Sequence, residues 1–230
     1  LCLLCGGQLL QPLVTADSAT ACINDREAVT FAAQLDILQA LLEIWKRACL
    51  GGLAVAGALE GGVADRVRFK LLDYRQEPGR YDRIVSVGMF EHVGVGHFKE
   101  FFTKVNALLK DDGVAVLHSI NRSDGPGATS AWVKKYIFPG GYIPALSETV
   151  AAVEREHLWV TDAESWRLHY AYTLRIWHDR FMARRGEAAA LYDERFVRLW
   201  KFYLTASEQV FRFSGHCVFQ LQLTRQPDAV

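Results

Sequence analysis

Asp82-Arg-Ile-Val-Ser-Val-Gly88-Met-Phe-Glu91-His92-Val-Gly94 decides how this chain folds. Arg83 to Gly88 is apolar enough to be a central strand, and ionisable residues follow it at once. Downstream, Phe98, Phe101, Phe102, Val105, Leu108 and Leu109 recur at the spacing of one helix face, and Asp111-Asp112-Gly113 ends that helix. Val114-Ala-Val-Leu-His118-Ser-Ile120 reads as the next strand. Strand, helix and strand with short connections form a βαβ unit, which calls for parallel strands joined by a right-handed crossover. Upstream, Val67 to Leu72 alternates as another strand before the turn at Pro78-Gly79. Residues 1–28 show no clear period. Val29 to Ala48 contains no Gly or Pro and reads as a helix, and Leu53 to Glu60 as a second one ended by Gly61-Gly62.

Beyond Ile120 the chain changes character. Asn121 to Thr129 is a Gly/Ser/Pro loop, and Trp132 to Phe138 precedes the turn Pro139-Gly140-Gly141. His157 to Val160 is a short strand candidate. Tyr170, Leu174, Trp177 and Phe181 mark one helix face, and Phe196, Leu199, Tyr203 and Val210 outline another helix. Cys217, Phe219, Leu221 and Leu223 alternate with Val218, Gln220, Gln222 and Thr224 as a closing strand. The expectation is an α/β fold in which a helical insert, residues 121–212, lies over the strand ends. Residues 1–62 form a divergent, mainly helical segment, and residues 63–230 the core.

Composition narrows the function. The 230 residues suit one domain, or one domain with a lid, and half of them are hydrophobic, enough for a sizeable core. Lys plus Arg and Asp plus Glu both number 26, so the net charge of zero argues against bulk nucleic-acid binding. Any membrane contact would be apolar or locally basic. Five scattered cysteines (Cys2, Cys5, Cys22, Cys49, Cys217) make a poor disulfide framework and suit a reducing, cytoplasmic setting. Cys2 and Cys5 form a C-x-x-C, but no second pair completes a zinc set. Leu1 to Val14 is too short for a membrane span and lacks the basic leader of a signal peptide. No Gly-x-Ser-x-Gly elbow supports a hydrolase.

In an open α/β sheet, ligands bind at the carboxyl ends of the strands. Two such ends carry ionisable groups here, Gly88-Met89-Phe90-Glu91-His92 and Leu117-His118-Ser119-Ile120. Held side by side, Glu91 and His118 could exchange a proton or hold a small anion. Taken singly, each also suits a plainer role, Glu91 as a helix cap and His118 as a hydrogen-bonded core histidine. Tyr203, mid-helix among aromatic residues, needs a polar partner if buried.

Asp82 to Gly94, Leu117-His118-Ser119-Ile120 and Lys135-Tyr-Ile-Phe-Pro-Gly-Gly-Tyr-Ile-Pro144 together resemble the cyclopropane-fatty-acyl-phospholipid synthases and mycolic acid cyclopropane synthases. The likeness continues at His169-Tyr-Ala-Tyr-Thr-Leu174 with Trp177, and at Tyr203-Leu204 with Phe211-Arg212, covering residues 63–225 in order. Several motifs in register are more specific than any one of them. The resemblance implies a Rossmann-like, S-adenosylmethionine-dependent methyltransferase acting on an unsaturated phospholipid acyl chain. In that family a cis double bond attacks the sulfonium methyl, and the resulting cation loses a proton and closes a cyclopropane ring.

The resemblance also implies that a bicarbonate ion takes that proton, held by Glu91, His118 and Tyr203 with the Ile120 backbone nearby. Val87, Gly88, Met89 and His92 would line the methionine end of the cofactor, and Asp73 and Tyr74 would flank the adenine. Cys22 stands where the family has a cysteine near its N-terminus. The aromatic second half corresponds to a lipid pocket. A peripheral membrane contact at the cytoplasmic side follows from the substrate, and a homodimer is compatible with it. One departure concerns the family's glycine-rich loop, Leu-Asp-x-Gly-Cys-Gly-Trp-Gly. Residues 29–75 contain no G-x-G, so the cofactor half looks incomplete. The alternative is therefore a truncated or inactive relative that keeps an acyl-chain-binding fold.

Overall fold

Alternation along the central strands builds a seven-stranded mixed sheet with a different apolar layer on each face. The computed structural model describes residues 19–24, 27–33, 67–69 and 72–229, with side chains from Leu72 onward. In chain order the strands and α-helices are β1 (Ala19–Asn24), β2 (Glu27–Ala33), β3 (Val67–Phe69), β4 (Tyr81–Val87), α1 (Phe90–Val93), α2 (Phe98–Leu108), β5 (Leu109–Arg122), α3 (Ala131–Tyr136) and α4 (Leu146–Arg155). They continue with β6 (Trp159–Trp166), α5 (Leu168–Ala183), α6 (Arg185–Leu191), α7 (Glu194–Phe213) and β7 (His216–Thr224). The spatial order is β3-β2-β1-β4-β5-β7-β6.

The expected βαβ unit is present. β4 and β5 pair in parallel, Val85 opposite Val116 and Val87 opposite His118, with α2 as the crossover. The expectation of a parallel sheet holds only there and for β2 with β3; β1 runs antiparallel to both β2 and β4. The helix expected over Val29 to Ala48 is a strand where it is described, through Ala33. Val29, Thr30 and Phe31 are β-branched or aromatic, and pairing with β1 outweighs the lack of helix breakers. The rest of that stretch, the helix expected at Leu53 to Glu60, and Cys2, Cys5 and Cys49 lie outside the described residues.

β5 is longer than expected because Asp111-Asp112-Gly113 is absorbed into it. The register jumps from Tyr81 opposite Leu109 to Arg83 opposite Val114, so the acidic residues bulge out of the ladder. Gly113 makes the bulge possible: a Cβ there would lie 3.0 Å from the Tyr81 and Lys110 carbonyl oxygens.

One face of the sheet holds Ala115, Leu117, Phe219, Leu221 and Leu223 against the phenylalanines of α2 and against Ala152 and Val153 of α4. The other holds Ile120 and Val218 beneath α5 and α7. The helical material of residues 121–212 is therefore not one contiguous insert. α4 belongs to the α2 layer, and β6 is a full edge strand on β7 that runs beyond the expected Val160 to Trp166.

The buried stripe of α7 is Val197, Trp200, Leu204, Glu208 and Phe211, one position over from the face expected. Phe196 and Tyr203 flank it, half-buried. Apolar residues surround most of this helix, so periodicity alone could not choose the inward side. Glu208 sits in that stripe only 2% exposed, because Arg212 donates to one carboxylate oxygen at 2.8 Å and Arg175 of α5 meets the other at 2.9 Å. Glu208→Ala removes the carboxylate shared by Arg212 and Arg175, both of which reach solvent, and should destabilise the chain by about 1–2 kcal/mol, read as a lower urea midpoint. An unchanged midpoint would show that α5 and α7 do not depend on this link.

Candidate functional site

Gly88 ends β4 with φ 67°, in the left-handed region that favours glycine, and its N–H donates to the His118 carbonyl at 3.0 Å. This bond ties the carboxyl ends of β4 and β5 together. The chain then turns into the four-residue helix α1, which is too short to stand alone. Burial holds it: Phe90 is 0% exposed and stacks on Phe98 at 4.4 Å between ring centroids, with Phe101 and Phe102 at 5.1 and 5.5 Å. With Phe90 driven inward, Glu91 points across the strand ends.

One Glu91 carboxylate oxygen accepts the Ile120 N–H at 2.7 Å. The other is buried and has no hydrogen-bond partner among the described residues. Burial pushes the carboxyl above its usual range, opposed by the Ile120 amide, its own backbone and the Ser119 hydroxyl. The Glu91 carbonyl accepts from Tyr142 N–H at 2.8 Å, which anchors the segment after α3 to the same corner.

His118 lies on the same sheet face as Ile120, and its ring meets Trp166 edge-on at 5.9 Å. Its Nδ1 faces the Gln220 carbonyl oxygen at 3.4 Å across the β5–β7 pair. In the tautomer that donates from Nδ1 to Gln220, Nε2 is an acceptor and donates only in the imidazolium form. Burial pulls the His118 pKa down, away from that form. Tyr203 is half-buried with its ring near Trp200 and Phe138, and Phe138 in turn meets the His92 ring at 5.8 Å.

The structure thus brings Glu91 into direct contact with Ile120, places His118 two residues away on the same strand, and brings Tyr203 toward His92 through Phe138. Four of the expected residues have partners of their own. The Ile120 N–H is taken by Glu91. Met89 is fully buried with the phenylalanine cluster. Tyr74 is 4% exposed in that same cluster, edge-on to Phe101, while Arg75 grips the Asp73 carboxylate and holds it below the usual range. Asp73 also caps the tight turn Tyr74–Gln76 by accepting the Arg75 N–H, and Tyr74 packs onto α2 through Phe101.

Val87 sits half-buried opposite His118, in register for the expected cleft. The Cys22 backbone lies opposite Ile84, four strand residues short of Gly88, or about 13 Å at ordinary strand rise. The structure does not bring Cys22 to the strand ends.

Sequence reasoning missed Gln220, Trp166, Phe138 and Ser119. Alternation in β7 already put Gln220 on the face opposite Phe219; only the register places it against His118.

Comparison with known proteins matches residues 56–221 to the model of the mycolic acid cyclopropane synthetase family. The chain is 39% identical over 172 residues to tuberculostearic acid methyltransferase UfaA1 of Mycobacterium tuberculosis, covering 72% of this chain and 40% of that protein. It is 36% identical over 159 residues to the cyclopropane-fatty-acyl-phospholipid synthase of Escherichia coli, covering 69% of this chain and 41% of that one. The chain therefore spans about two-fifths of the length of these relatives. Among solved structures, mycolic acid cyclopropane synthase CmaA1 complexed with SAH and CTAB superposes with a TM-score of 0.65 at 30% identity, over 73% of this chain and 65% of that one.

Proposed function

The chain belongs to the mycolic acid cyclopropane synthetase family, with an α/β methyltransferase fold, and on that footing we propose that it serves S-adenosylmethionine-dependent methylene transfer to the cis double bond of an unsaturated phospholipid acyl chain, closing a cyclopropane ring. The observation that supports this reading is Glu91. It is a carboxylate at the carboxyl end of a central strand, fixed through one oxygen on Ile120 and buried at the other without a partner among the described residues. A buried, unsatisfied oxygen of this kind is a costly feature that a bound group would relieve.

S-adenosylmethionine supplies, when bound, the electrophilic methyl group. Gly88 leaves the backbone open to a cofactor at the strand end. Glu91 suits a small hydroxyl-bearing anion such as bicarbonate: ionised, its second oxygen accepts from the hydroxyl, and protonated, as burial favours, it donates. In the tautomer that donates to Gln220, His118 donates to the same anion only when charged, and Glu91 is then the stronger anchor, with the Tyr203 phenol as a further donor. The aromatic layer of α5 and α7 supplies dry walls for an acyl chain and keeps water from a cation. The reading places the protein at the cytoplasmic surface of a membrane.

The missing G-x-G favours a second reading, an acyl-chain-binding relative without catalysis. Calorimetric titration of the whole chain with S-adenosylmethionine separates the two. Saturable binding that Gly88→Trp abolishes, together with a 14-dalton gain on an unsaturated phospholipid, supports catalysis. Folded protein with neither binding nor mass gain overturns it in favour of the second reading.

A further inference from the structure

The face formed by α3 and α7 carries an aromatic and basic cluster outside the site. Trp132 of α3 meets Phe202 of α7 edge-on at 4.9 Å and Tyr136 at 6.0 Å. Phe202 is 57% exposed and Tyr136 40%. Two segments far apart in sequence thus converge to hold large rings at the surface, where burial gives them little.

Charge is segregated on the same face. Residues 126–147 and 195–207 contain five basic residues (Lys134, Lys135, Arg195, Arg198, Lys201) and no acidic one, in a chain whose totals balance at 26 each. All five are exposed, and the structure pairs none of them with a carboxylate among the described residues. Lys135 instead lies over the Tyr136 ring at 5.2 Å.

The inner edge of the cluster is the candidate site. Phe138, just beyond α3, sits between the His92 and Tyr203 rings, and Tyr203 follows Phe202 directly. Amphipathic rings flanked by unpaired cations match an anionic lipid surface, where aromatic residues settle at headgroup depth and lysines and arginines meet the negative potential. No helix among the described residues is long and apolar enough to cross a membrane, so attachment here is to the surface.

We propose that this α3–α7 face docks the protein on an anionic phospholipid bilayer and sets the site against the acyl chains; the proposal rests on the lipid-modifying reading above.

Co-sedimentation of the whole chain with vesicles tests it, comparing phosphatidylglycerol-containing with pure phosphatidylcholine vesicles. Wild type should bind the anionic vesicles more than tenfold better, and high salt should remove the difference. Trp132→Ser/Phe202→Ser and Lys134→Glu/Lys201→Glu should each lose more than tenfold in binding with unchanged circular dichroism. Quenching by brominated lipid should fall in Trp132→Phe, which conserves the ring cluster. Both double variants should keep wild-type turnover of detergent-dispersed phospholipid and lose it on vesicles. Wild type that ignores vesicles, or variants that bind them equally well, overturns the docking face. Patch-dependent binding with no methylene transfer upholds the face and overturns the catalytic reading instead.

Discussion

Glu91→Gln is expected to lower methylene transfer by at least ~100-fold while leaving S-adenosylmethionine binding and the fold in place, the scale of losing a positioned proton-handling group. The amide keeps the shape of the carboxyl and can still accept the Ile120 N–H at the position of the present 2.7 Å bond. It loses the ability to change charge at the second oxygen, which has no partner among the described residues. Product analysis of an unsaturated phospholipid by mass spectrometry reads the loss. Full activity in the variant would remove Glu91 from the chemistry.

The same substitution has a stability signature of known sign. Burial raises the folded-state pKa of Glu91, so the unfolded chain gives up this proton first as pH climbs. Its favourable contribution is complete below the unfolded value of ~4.3 and is lost as pH rises through the folded value. Glu91→Gln removes that slope. At neutral pH the variant should unfold at a urea midpoint no lower than wild type, although it is less active. A lower midpoint would mean that the charged form is stabilised in the fold.

Phe90→Ala is expected to cost about 3–5 kcal/mol, the range for emptying a packed aromatic site. Phe90 is fully buried and touches three other rings, so few neighbours can collapse into the space it leaves. For a chain of this size each kcal/mol shifts the melting temperature by roughly 2–4 °C, giving a drop on the order of 10 °C. Phe90→Leu, closer in volume, should recover most of it. Activity should fall further than stability, because α1 has only four residues and this ring is what aims Glu91 across the strand ends. A cost below ~1 kcal/mol would show that α1 is held by something else.

Much of this was legible in the residues. The β4–α2–β5 unit followed from an apolar run, a 3.6-residue stripe and a second apolar run, because each pattern admits one buried arrangement. The candidate site followed from where those strands end and from motifs in register. Where patterns were degenerate, legibility failed. Val29 to Ala33 lacks breakers, as a helix would, and opens with β-branched and aromatic residues, as a strand would; its partner β1 decided. α7 is apolar on several sides, and the Glu208 ion pairs and the sheet beneath decided which side turned inward. Tyr74 packs edge-on against Phe101, a contact that no local pattern announces, whereas the grip of Arg75 on Asp73 is local, two residues along the chain.

By itself the sequence determined the family, the α/β class, and which side chains stand at the ends of β4 and β5. These depend on periodicity and residue type, which are properties of short segments. Tertiary structure alone decided what those side chains can do. Glu91 is an ordinary carboxyl until Ile120 takes one oxygen and burial isolates the other; His118 is an ordinary imidazole until Gln220 claims Nδ1. Desolvation and hydrogen bonding come from groups tens of residues away in the chain, so only the folded register could settle them.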